Sequence, residues 1–380
     1  MIKMNAMKTI LFFVPGADGG GVASAFKTLA KELEACGWNI KVLLPYEADI
    51  KRCAIPMHYV IGYAKKRNER NPWKIRISRL FHCLTSYKFY FWNVPNIEHD
   101  IFVVYQAASF SFWQNYTKKT IFGWFHGEAP NCTKRWTQKI WSIFECQDYR
   151  KFTKLFAVGE NIAQQWMEYY GNKIIVQSFP NILDINQIQY AIEQKACNIL
   201  GEYKRCKLLY VGRLSKEKGV VRLLEITQRL IDEGYDFDLF LLGNGELREL
   251  LEDFIKQNNL SSYVHLLGWQ ALPYTYMNEA DLLILPSFTE GFGLVLWEAL
   301  LSGCHTLATT SNGTREALHG GAYGMLCENS TEGLYQGVKK ILEDDVGYKQ
   351  QFNLPKIQQE IIIQIKQTKD LIKHSFRPLG

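Results

Sequence analysis

The sequence predicts an α/β protein made of two doubly wound domains. Short apolar runs alternate with amphipathic stretches along most of the 380 residues, which is typical of parallel strands covered by helices on both faces. The length exceeds the roughly 250–300 residues at which one hydrophobic core stops growing, so two domains are expected. The hydrophobic share, 47%, is that of a globular protein, and no apolar run approaches the ~20 residues of a membrane span.

The N-terminal half begins with a strand, a glycine loop and a helix. Residues 9–15 are apolar and precede the loop 16–21, after which apolar side chains from Val22 to Cys36 recur at helical spacing. Residues 39–45 then form the next strand, which completes a βαβ unit. Because the apolar start is short and ends in glycines, we expect no signal peptide. Further strands are predicted at 56–61, 101–106, 120–126, 154–159 and 173–179.

The C-terminal half repeats this alternation more regularly. Residues 182–206 are predicted to connect the halves, which places the domains at 1–189 and 190–357. In doubly wound sheets, ligands bind beyond the carboxyl ends of the strands, so functional residues are expected in the loops that follow strands. Strands are predicted at 207–211, 237–242, 264–267, 281–286 and 305–309, and helices at 219–233, 246–257, 272–278, 292–302 and 331–342.

One segment, residues 63–95, is both basic and aromatic. It holds eight Lys or Arg residues against a single acid, Glu69, and aromatic side chains lie between them. This composition suits an anionic membrane surface, where rings lie at headgroup depth and each cation contributes about 1 kcal/mol. A solvated basic face and an RNA-binding surface are the alternatives. We expect the membrane contact and no nucleic-acid partner.

Neither the cysteines nor the acids predict a metal site. The nine cysteines are irregularly spaced and form no C-x-x-C pair, so neither a disulfide framework nor zinc is expected. The sequence Asp236-Phe237-Asp238 resembles a metal-binding D-x-D motif, but it lies at the start of a strand, at the edge away from ligands. We expect a surface turn there, and neither a metal nor a cofactor in the protein.

The strongest sign of a functional site is the segment 290–298, which follows the apolar strand 281–286. Gly291 and Gly293 would let a ligand approach the backbone and would leave free N–H groups at a helix start, which favours an anion. Glu290 lies in the loop before this helix. Glu298 lies inside an otherwise apolar helix, where a carboxylate needs a ligand's hydroxyl pair, a buried Arg or a narrow solvent stripe.

Two cations follow the first strand of the same half. Arg213 comes directly after residues 207–211, and Lys218 lies at the start of the next helix. A guanidinium fork and an ammonium group both suit a diphosphate. Considered alone, the pair could also be solvated loop residues.

Two features of the N-terminal half are weaker signs. The glycine loop does not match G-x-G-x-x-G, and no acid ends the second strand, which disfavours a dinucleotide site. Gly20 and Gly21 can still receive a phosphate or a sugar. His126 ends the apolar strand 120–126; a lone histidine is more often structural, but this position favours a ligand contact.

Together these motifs resemble the family 4 retaining glycosyltransferases of GT-B fold. The resemblance is densest between residues 208 and 342. It rests on E-G-F-G-L-V-L-W-E (290–298), with two glutamates separated by seven residues, and on G-R-L-S-K-E-K-G (212–219). His305 and the loop 312–316 depart from the family's usual residues, and most of the first domain is poorly matched.

The resemblance implies two Rossmann-like domains facing a central cleft, with the C-terminal residues 358–380 packing back on the first domain. It implies a metal-independent, retaining transfer of a sugar from a nucleotide-diphosphate sugar, expected to be a UDP-sugar, to an acceptor hydroxyl. With the segment 63–95, it suggests a lipid-linked or cell-surface polysaccharide precursor, as in lipopolysaccharide or capsule synthesis. The expected location is the cytoplasm, at the inner face of the cell membrane.

The resemblance also implies roles for single residues. Arg213 and Lys218 would hold the donor's diphosphate, Glu290 would contact hydroxyls of the transferred sugar, and Glu298 would bind the ribose hydroxyls. His126 would support the developing oxocarbenium ion. The leaving diphosphate itself would take the acceptor's proton, so no nucleophile is needed. Further donor contacts are implied for Gly20, Gly21, Trp269, Gly291, Phe292, Gly293, Leu294 and Val295.

Two alternatives stay open. A sugar-nucleotide epimerase of GT-B fold would convert the donor without any acceptor. A non-catalytic, membrane-associated partner subunit would keep the fold without the chemistry, although the presence of all four charged site residues argues against it. A phosphorylase is disfavoured, because no lysine stands out as the carrier of pyridoxal phosphate.

Overall fold

The computed structural model describes residues 7–15, 20–46, 53–65, 97–105, 119–129, 149–193 and 199–377. The chain divides into two units, Met1–Ile182 with Gln367–Gly380, and Leu183–Lys366. Each unit is built on a parallel β-sheet, which confirms the predicted fold class. Beyond Lys65, the basic and aromatic segment 63–95 lies outside the described residues, as do residues 16–19 of the glycine loop.

The first unit contains a seven-stranded sheet with the order β3-β2-β1-β4-β5-β6-β7. All neighbouring strands run parallel. The strands are β1 (Thr9–Phe13), β2 (Asn39–Tyr46), β3 (Val60–Lys65), β4 (Ile101–Tyr105), β5 (Thr120–Phe125), β6 (Lys154–Ala157) and β7 (Gln177–Ser178), and the described helices are α1 (Gly20–Ala35) and α2 (Glu160–Tyr169).

The second unit contains a six-stranded sheet with the order β10-β9-β8-β11-β12-β13, again parallel throughout. The strands are β8 (Cys206–Val211), β9 (Phe237–Leu242), β10 (Val264–Gly268), β11 (Leu282–Leu285), β12 (His305–Thr309) and β13 (Met325–Cys327). The helices are α3 (Ile185–Glu193), α4 (Val220–Asp232), α5 (Arg248–Gln257), α6 (Tyr274–Glu279), α7 (Leu294–Leu301), α8 (Asn312–Ala317), α9 (Thr331–Glu343), α10 (Asp345–Gln350) and α11 (Leu354–Ser375).

The strand order explains where a ligand belongs in the second unit. From β8, the chain winds outward to β9 and β10, and then reverses to β11, β12 and β13. In doubly wound sheets, ligands bind outside the carboxyl ends of the strands at this point of reversal. The relevant loops are therefore those after β8 and β11.

The strands are apolar because helices cover both faces of each sheet. Every residue of β1, β4 and β9 is buried. The helix α7 is buried over most of its surface as well, which is why its sequence is apolar nearly all round. Among the helices in the described part of the chain, none combines the length and apolar character needed to cross a bilayer.

The structure differs from the sequence-based predictions in three places. Residues 182–206, expected to be a connection, contain α3, which belongs to the second unit and packs against α6 and α7. The units therefore divide between Ile182 and Leu183, rather than after residue 189. The short strand β13 and the helix α10 were not predicted, because three to six residues carry too little periodicity to be recognised.

The C-terminal helix α11 is longer than the predicted 358–375, and from Gln367 onward it belongs to the first unit. There Lys369 Nζ lies 2.5 Å from Oε1 of Glu32. The indole Nε1 of Trp38 donates a buried hydrogen bond of 2.7 Å to the carbonyl of Phe376. These contacts attach the end of the chain to the first unit.

The expected surface turn at residues 236–238 is only half right. Asp236 is exposed, but Asp238 is 3% exposed. Its Oδ1 lies 2.9 Å from Nε2 of His265 and 3.7 Å from Nη1 of Arg205. Because Asp238 lies near the start of β9, at the edge opposite the loops that follow strands, this pairing is structural, and no metal-binding group was found among the described residues.

Candidate functional site

Two loops lie beside the point where the strand order of the second sheet reverses. One follows β8 and holds Arg213 and Lys218; the other follows β11 and holds Glu290. Because parallel strands end at the same edge, residues far apart in sequence meet there. Three of the residues predicted from sequence therefore lie at one edge of the sheet.

The loop after β8 leaves one cation exposed. The Tyr210 hydroxyl donates a 2.7 Å hydrogen bond to the carbonyl of Arg213, which fixes the backbone at that residue. The Arg213 side chain itself is exposed, and no ion pair with it occurs among the described residues. The guanidinium is therefore available to an anionic ligand.

A glycine lets the two loops approach each other. Gly219 begins α4 with a φ of +67°, and a Cβ added there would lie 1.9 Å from the carbonyl oxygen of Pro286. No side chain fits in that space, because non-bonded heavy atoms do not approach so closely. The Phe288 N–H also donates to the Glu217 carbonyl at 2.9 Å. The close approach brings Lys218 beside the loop that holds Glu290.

Glu290 accepts two short hydrogen bonds on a single oxygen. Lys218 Nζ and Ser287 Oγ each lie 2.6 Å from its Oε1. The Glu290 side chain is 9% exposed. Across the part of the chain that the structure describes, its other oxygen, Oε2, has no hydrogen-bond partner. The carboxylate thus keeps acceptor capacity for a ligand hydroxyl.

The turn after Glu290 ends at a helix start. Gly293 has a φ of +77° and precedes α7. The first N–H groups of a helix have no intrahelical acceptor and carry partial positive charge, so the backbone from Gly293 to Val295 can receive an anion. On the other side, a Cβ at Gly313 would lie 2.4 Å from the Glu290 carbonyl oxygen, so α8 packs directly against this turn.

Glu298 lies farther along α7, and its side chain is partly buried. Burial raises the pKa of its carboxyl to about 7, and a hydrogen bond from the Tyr274 hydroxyl opposes part of that rise. Within the described residues, the buried Arg that was considered from sequence as a partner does not affect this carboxyl. Sequence reasoning missed Tyr274, because nothing in the pattern of α6 singles it out.

The remaining predicted residue of this unit, Trp269, follows β10 at the same edge of the sheet. Its side chain is 70% exposed, the largest exposure of any tryptophan among the described residues. The Gln270 side chain donates to the Leu267 carbonyl at 2.9 Å and holds the turn around it. Phe292, by contrast, is 5% exposed and packs edge-on against Trp297, so its side chain supports the turn from inside.

Three of the predicted residues, Gly20, Gly21 and His126, belong to the first unit. Gly20 begins α1 with a φ of +78°, and Gly21 follows it in the helix. His126 follows β5, with its ring centroid 4.3 Å from that of Tyr105. Burial lowers the pKa of His126 to about 3, so the ring is neutral at physiological pH. Its buried Nε2 has no hydrogen-bond partner in the described residues. The roles of these three residues stay predictions.

Sequence reasoning also missed Ser287, which binds the same Glu290 oxygen as Lys218. A weak signal existed, since Ser287 directly follows the apolar strand 281–286, where polar side chains of parallel sheets meet ligands. The hydrogen bond itself depends on the turn between Ser287 and Glu290, which the sequence does not specify.

Comparison with known proteins gives an independent view of the second unit. Residues 197–359 match the family model described as "Glycosyl transferases group 1". An N-acetylgalactosamine-N,N'-diacetylbacillosaminyl-diphospho-undecaprenol 4-alpha-N-acetylgalactosaminyltransferase of Campylobacter jejuni is 34% identical over 197 residues, which are 51% of this chain and 52% of that protein. The chain thus matches about half the length of this relative.

Solved structures resemble the whole chain at lower identity. A crystal structure of a glycosyltransferase from Rickettsia africae superposes with a TM-score of 0.67 at 17% identity, covering 98% of this chain and 99% of that one. A crystal structure of Anabaena HepE in complex with UDP-glucose gives a TM-score of 0.64 at 18% identity, covering 94% and 99%. These similarities establish the fold, two Rossmann-like domains of the GT-B class.

Proposed function

We propose that the protein is a retaining glycosyltransferase, from the premise that residues 197–359 match the family model of the glycosyl transferases group 1. It moves a sugar from a nucleotide-diphosphate sugar to an acceptor hydroxyl. The observation that carries the proposal is the contact of 2.6 Å between Lys218 Nζ and Glu290 Oε1 at the reversal point of the second sheet. It puts a cation for the diphosphate beside a carboxylate for the sugar.

The donor's diphosphate binds Arg213, Lys218 and the start of α7. In the transfer, the bond between the anomeric carbon and the β-phosphate oxygen breaks, and a bond to the acceptor oxygen forms. The acceptor's proton passes to the departing diphosphate, so charge and atoms balance. Negative charge grows on the leaving group, and preorganised cations and N–H groups stabilise that charge most in the transition state. No metal is required in this scheme, because these groups replace it.

Glu290 and Glu298 bind hydroxyls at two different parts of the donor. The unoccupied Oε2 of Glu290 accepts from the transferred sugar, while Lys218 shares its ammonium between Glu290 and the diphosphate. Glu298 accepts from the ribose hydroxyls, because hydrogen bonds stabilise a carboxylate that is partly removed from water. Trp269, at the end of β10, lies along the base.

We propose UDP as the nucleotide. The support is the similarity in fold to HepE, whose crystal structure contains UDP-glucose. This support comes from the fold and not from a shared residue. The titration of UDP, GDP and ADP therefore tests the choice of base.

The proposed acceptor is a lipid-linked precursor of a cell-surface polysaccharide. The Campylobacter relative is named for an acceptor that ends in diphospho-undecaprenol. The basic and aromatic segment 63–95 suits an anionic membrane surface, which supports a proposed location at the cytoplasmic face of the cell membrane. Sedimentation of the intact protein with phosphatidylglycerol vesicles at low salt tests this part. Sedimentation that disappears with phosphatidylcholine vesicles or at high salt supports it, and a protein that stays in the supernatant contradicts it.

The donor site is tested by calorimetric titration of UDP, GDP and ADP in the presence of EDTA. We expect one nucleotide to bind without metal, and Arg213→Ala to weaken that binding. Lys216→Ala is the matched control, because this exposed lysine lies in the same loop. Equal effects of both substitutions would contradict a specific role for Arg213. If none of the nucleotides binds the wild type, the proposal of a glycosyltransferase gives way to the non-catalytic partner subunit.

The epimerase alternative is separated by the products. A glycosyltransferase incubated with its donor and no acceptor releases UDP and free sugar only slowly. An epimerase converts the donor into a second sugar or sugar nucleotide at full rate. Chromatography of a donor incubation therefore distinguishes the two without knowledge of the acceptor.

A further inference from the structure

A buried arginine lies behind the loop that holds Glu290. Arg222, on α4, is 4% exposed. Burial lowers the pKa of its guanidinium, and no carboxylate pairs with it in the described residues. Arginine stays protonated in proteins, so a full positive charge is held in the interior without a counter-ion. An apolar side chain of similar size would contribute more to stability, so the arginine calls for another explanation.

The guanidinium binds three parts of the second unit at once. Its Nε and Nη2 both donate to the Pro286 carbonyl, Nε at 2.9 Å. Nη2 also lies 3.2 Å from the Thr309 hydroxyl and 2.9 Å from Oδ1 of Asn329. The Phe288 ring stacks on the guanidinium, with its centroid 4.0 Å away. The planar fork of an arginine makes this set of contacts, and a lysine could not.

The partners of Arg222 hold the next two carbonyls of the same loop. The Thr309 hydroxyl donates to the Ser287 carbonyl at 2.6 Å. The Asn329 amide donates to the Phe288 carbonyl at 2.9 Å. Three successive carbonyls, at residues 286, 287 and 288, are therefore fixed by Arg222 or by a side chain that it binds.

This loop determines where Glu290 points. Ser287, whose carbonyl is held by Thr309, donates its hydroxyl to Glu290 Oε1 at 2.6 Å. A displacement of residues 286–288 would move Ser287 and would change the orientation of the carboxylate. The path from Arg222 to Glu290 runs through hydrogen bonds to Thr309 and to the Ser287 carbonyl, then through Ser287 itself to its hydroxyl, which binds Glu290.

We propose that Arg222 is a positioning residue for sugar transfer. Together with Thr309 and Asn329, it holds residues 286–290 so that Glu290 meets the hydroxyls of the transferred sugar. The assignment rests on the proposed function of the donor site. It predicts that Arg222 acts on the sugar half of the donor through Glu290, and leaves the binding of the nucleotide diphosphate to Arg213, Lys218 and α7.

The buried charge also argues that Arg222 does more than stabilise the fold. Its Nη1 is buried without a hydrogen-bond partner in the described residues, so the side chain is not fully satisfied where it lies. A group retained for stability alone is normally satisfied or apolar. A group retained to fix the geometry of a site must instead hold its partners in their positions.

The test is a double-mutant cycle of Arg222→Lys and Glu290→Gln. The probes are UDP, UDP-glucose and UDP-N-acetylgalactosamine, measured by calorimetry, and UDP release from whichever sugar nucleotide the wild type binds more tightly. We expect Arg222→Lys to change the Kd of UDP by no more than about twofold. The same substitution should lower either the ratio of the Kd of UDP to the Kd of the sugar nucleotide, or the rate of UDP release, by at least about fivefold. In the Glu290→Gln background, the same substitution should have no further effect.

Controls separate this outcome from general damage. Arg229→Lys changes another arginine of α4, one that pairs with Glu233 and Glu332 at the surface, and should leave all these quantities unchanged. If Arg222→Lys does not fold, Asn329→Ala and Thr309→Val carry the same test, because each removes both the hydrogen bond from Arg222 and a hydrogen bond to a carbonyl of the loop.

Two results overturn the assignment. Losses that add fully in the double variant, or a parallel loss of UDP binding and thermal stability, would make Arg222 a structural residue only. Failure of the wild type to bind UDP or either sugar nucleotide would overturn the proposed donor site, and the assignment of Arg222 with it. The wild-type titration thus distinguishes the failure of the proposed function from the failure of the inference.

Discussion

Lys218 Nζ lies 2.6 Å from Oε1 of Glu290, although the two residues are 72 positions apart in the chain. The contact joins the loop after β8 to the loop after β11, the two loops beside the reversal of the strand order. Because Ser287 binds the same oxygen, the other carboxylate oxygen is left for a ligand. The four predictions below follow from this arrangement and its surroundings.

Lys218→Ala should weaken UDP binding by about tenfold or more, since a hydrogen bond to a charged group contributes about 1.5–3 kcal/mol. Lys216→Ala, in the same three-residue 3₁₀ turn, should change the affinity little. Calorimetry in EDTA measures both. A Lys218 variant with wild-type affinity would mean that the ammonium serves Glu290 and not the diphosphate.

Glu290→Ala should keep UDP binding and lose sugar transfer, because the proposed function has this residue contact the sugar and not the nucleotide. Release of UDP from its sugar nucleotide should fall by at least about tenfold, the effect of losing a hydrogen bond to a charged acceptor. Ser287→Ala should give a smaller loss in the same direction, since Lys218 still binds Oε1. Unchanged turnover in Glu290→Ala would contradict the role assigned to Glu290.

Glu298 should make the stability of the fold depend on pH. Its carboxyl has a pKa of about 7 in the folded chain, against an ordinary value of 4.5. The folded state therefore binds the proton more tightly than the unfolded state. The contribution is fully present below pH ~4.5 and is lost as the pH rises toward 7.

Glu298→Gln cannot ionise and should escape this loss. Relative to wild type, the free energy of unfolding of the variant should rise by at most about 3 kcal/mol between pH 4.5 and 7. Above pH 7 the difference should level off. Urea unfolding at pH 5, 6, 7 and 8 measures the difference. A difference that is flat over this range would show that Glu298 is ionised in the folded chain throughout.

Gly219→Ala should destabilise the second unit more than Gly234→Ala does. Both glycines border α4 and have positive φ, +67° and +92°, but a Cβ at Gly234 meets nothing within 4 Å, whereas one at Gly219 lies 1.9 Å from the Pro286 carbonyl oxygen. Positive φ alone costs roughly 1–3 kcal/mol, which the two variants share. The excess in Gly219→Ala should also appear as weaker UDP binding, because Lys218 moves with the turn. Similar unfolding midpoints for both variants would mean that the loops after β8 and β11 can separate without loss of stability.

The arrangement of elements in the second unit follows from the sequence with little ambiguity. Strands such as β9 and helices such as α4 are recognised because hydrophobic periodicity is local, and packing in the folded chain preserves it. The errors are short or isolated elements, such as β13 and α3, whose few residues leave the periodicity undecided. Arg213, Lys218 and Glu290 could be chosen from sequence because they lie in glycine-containing loops after apolar strands, and Glu298 because it is a carboxylate in an otherwise apolar helix.

The connections among those residues could not be read from the chain. Asp238 looked like a surface residue from its D-x-D context, yet His265 and Arg205 pair with it in the interior. Tyr274, Ser287 and Arg222 gave no signal strong enough to join the site. Each matters through a partner that the chain brings close from another element.

By itself, the sequence determined the fold class, the edge of the second sheet where a ligand is expected and the charged residues that lie there. Only the tertiary structure decided that Lys218 and Ser287 share one oxygen of Glu290, and that Arg222 holds the loop between them. The physical reason is that periodicity and turn chemistry act over a few neighbouring residues. A hydrogen bond between positions 222 and 329 depends on where two separate elements come to lie, and on the angstrom-level geometry of the atoms between them.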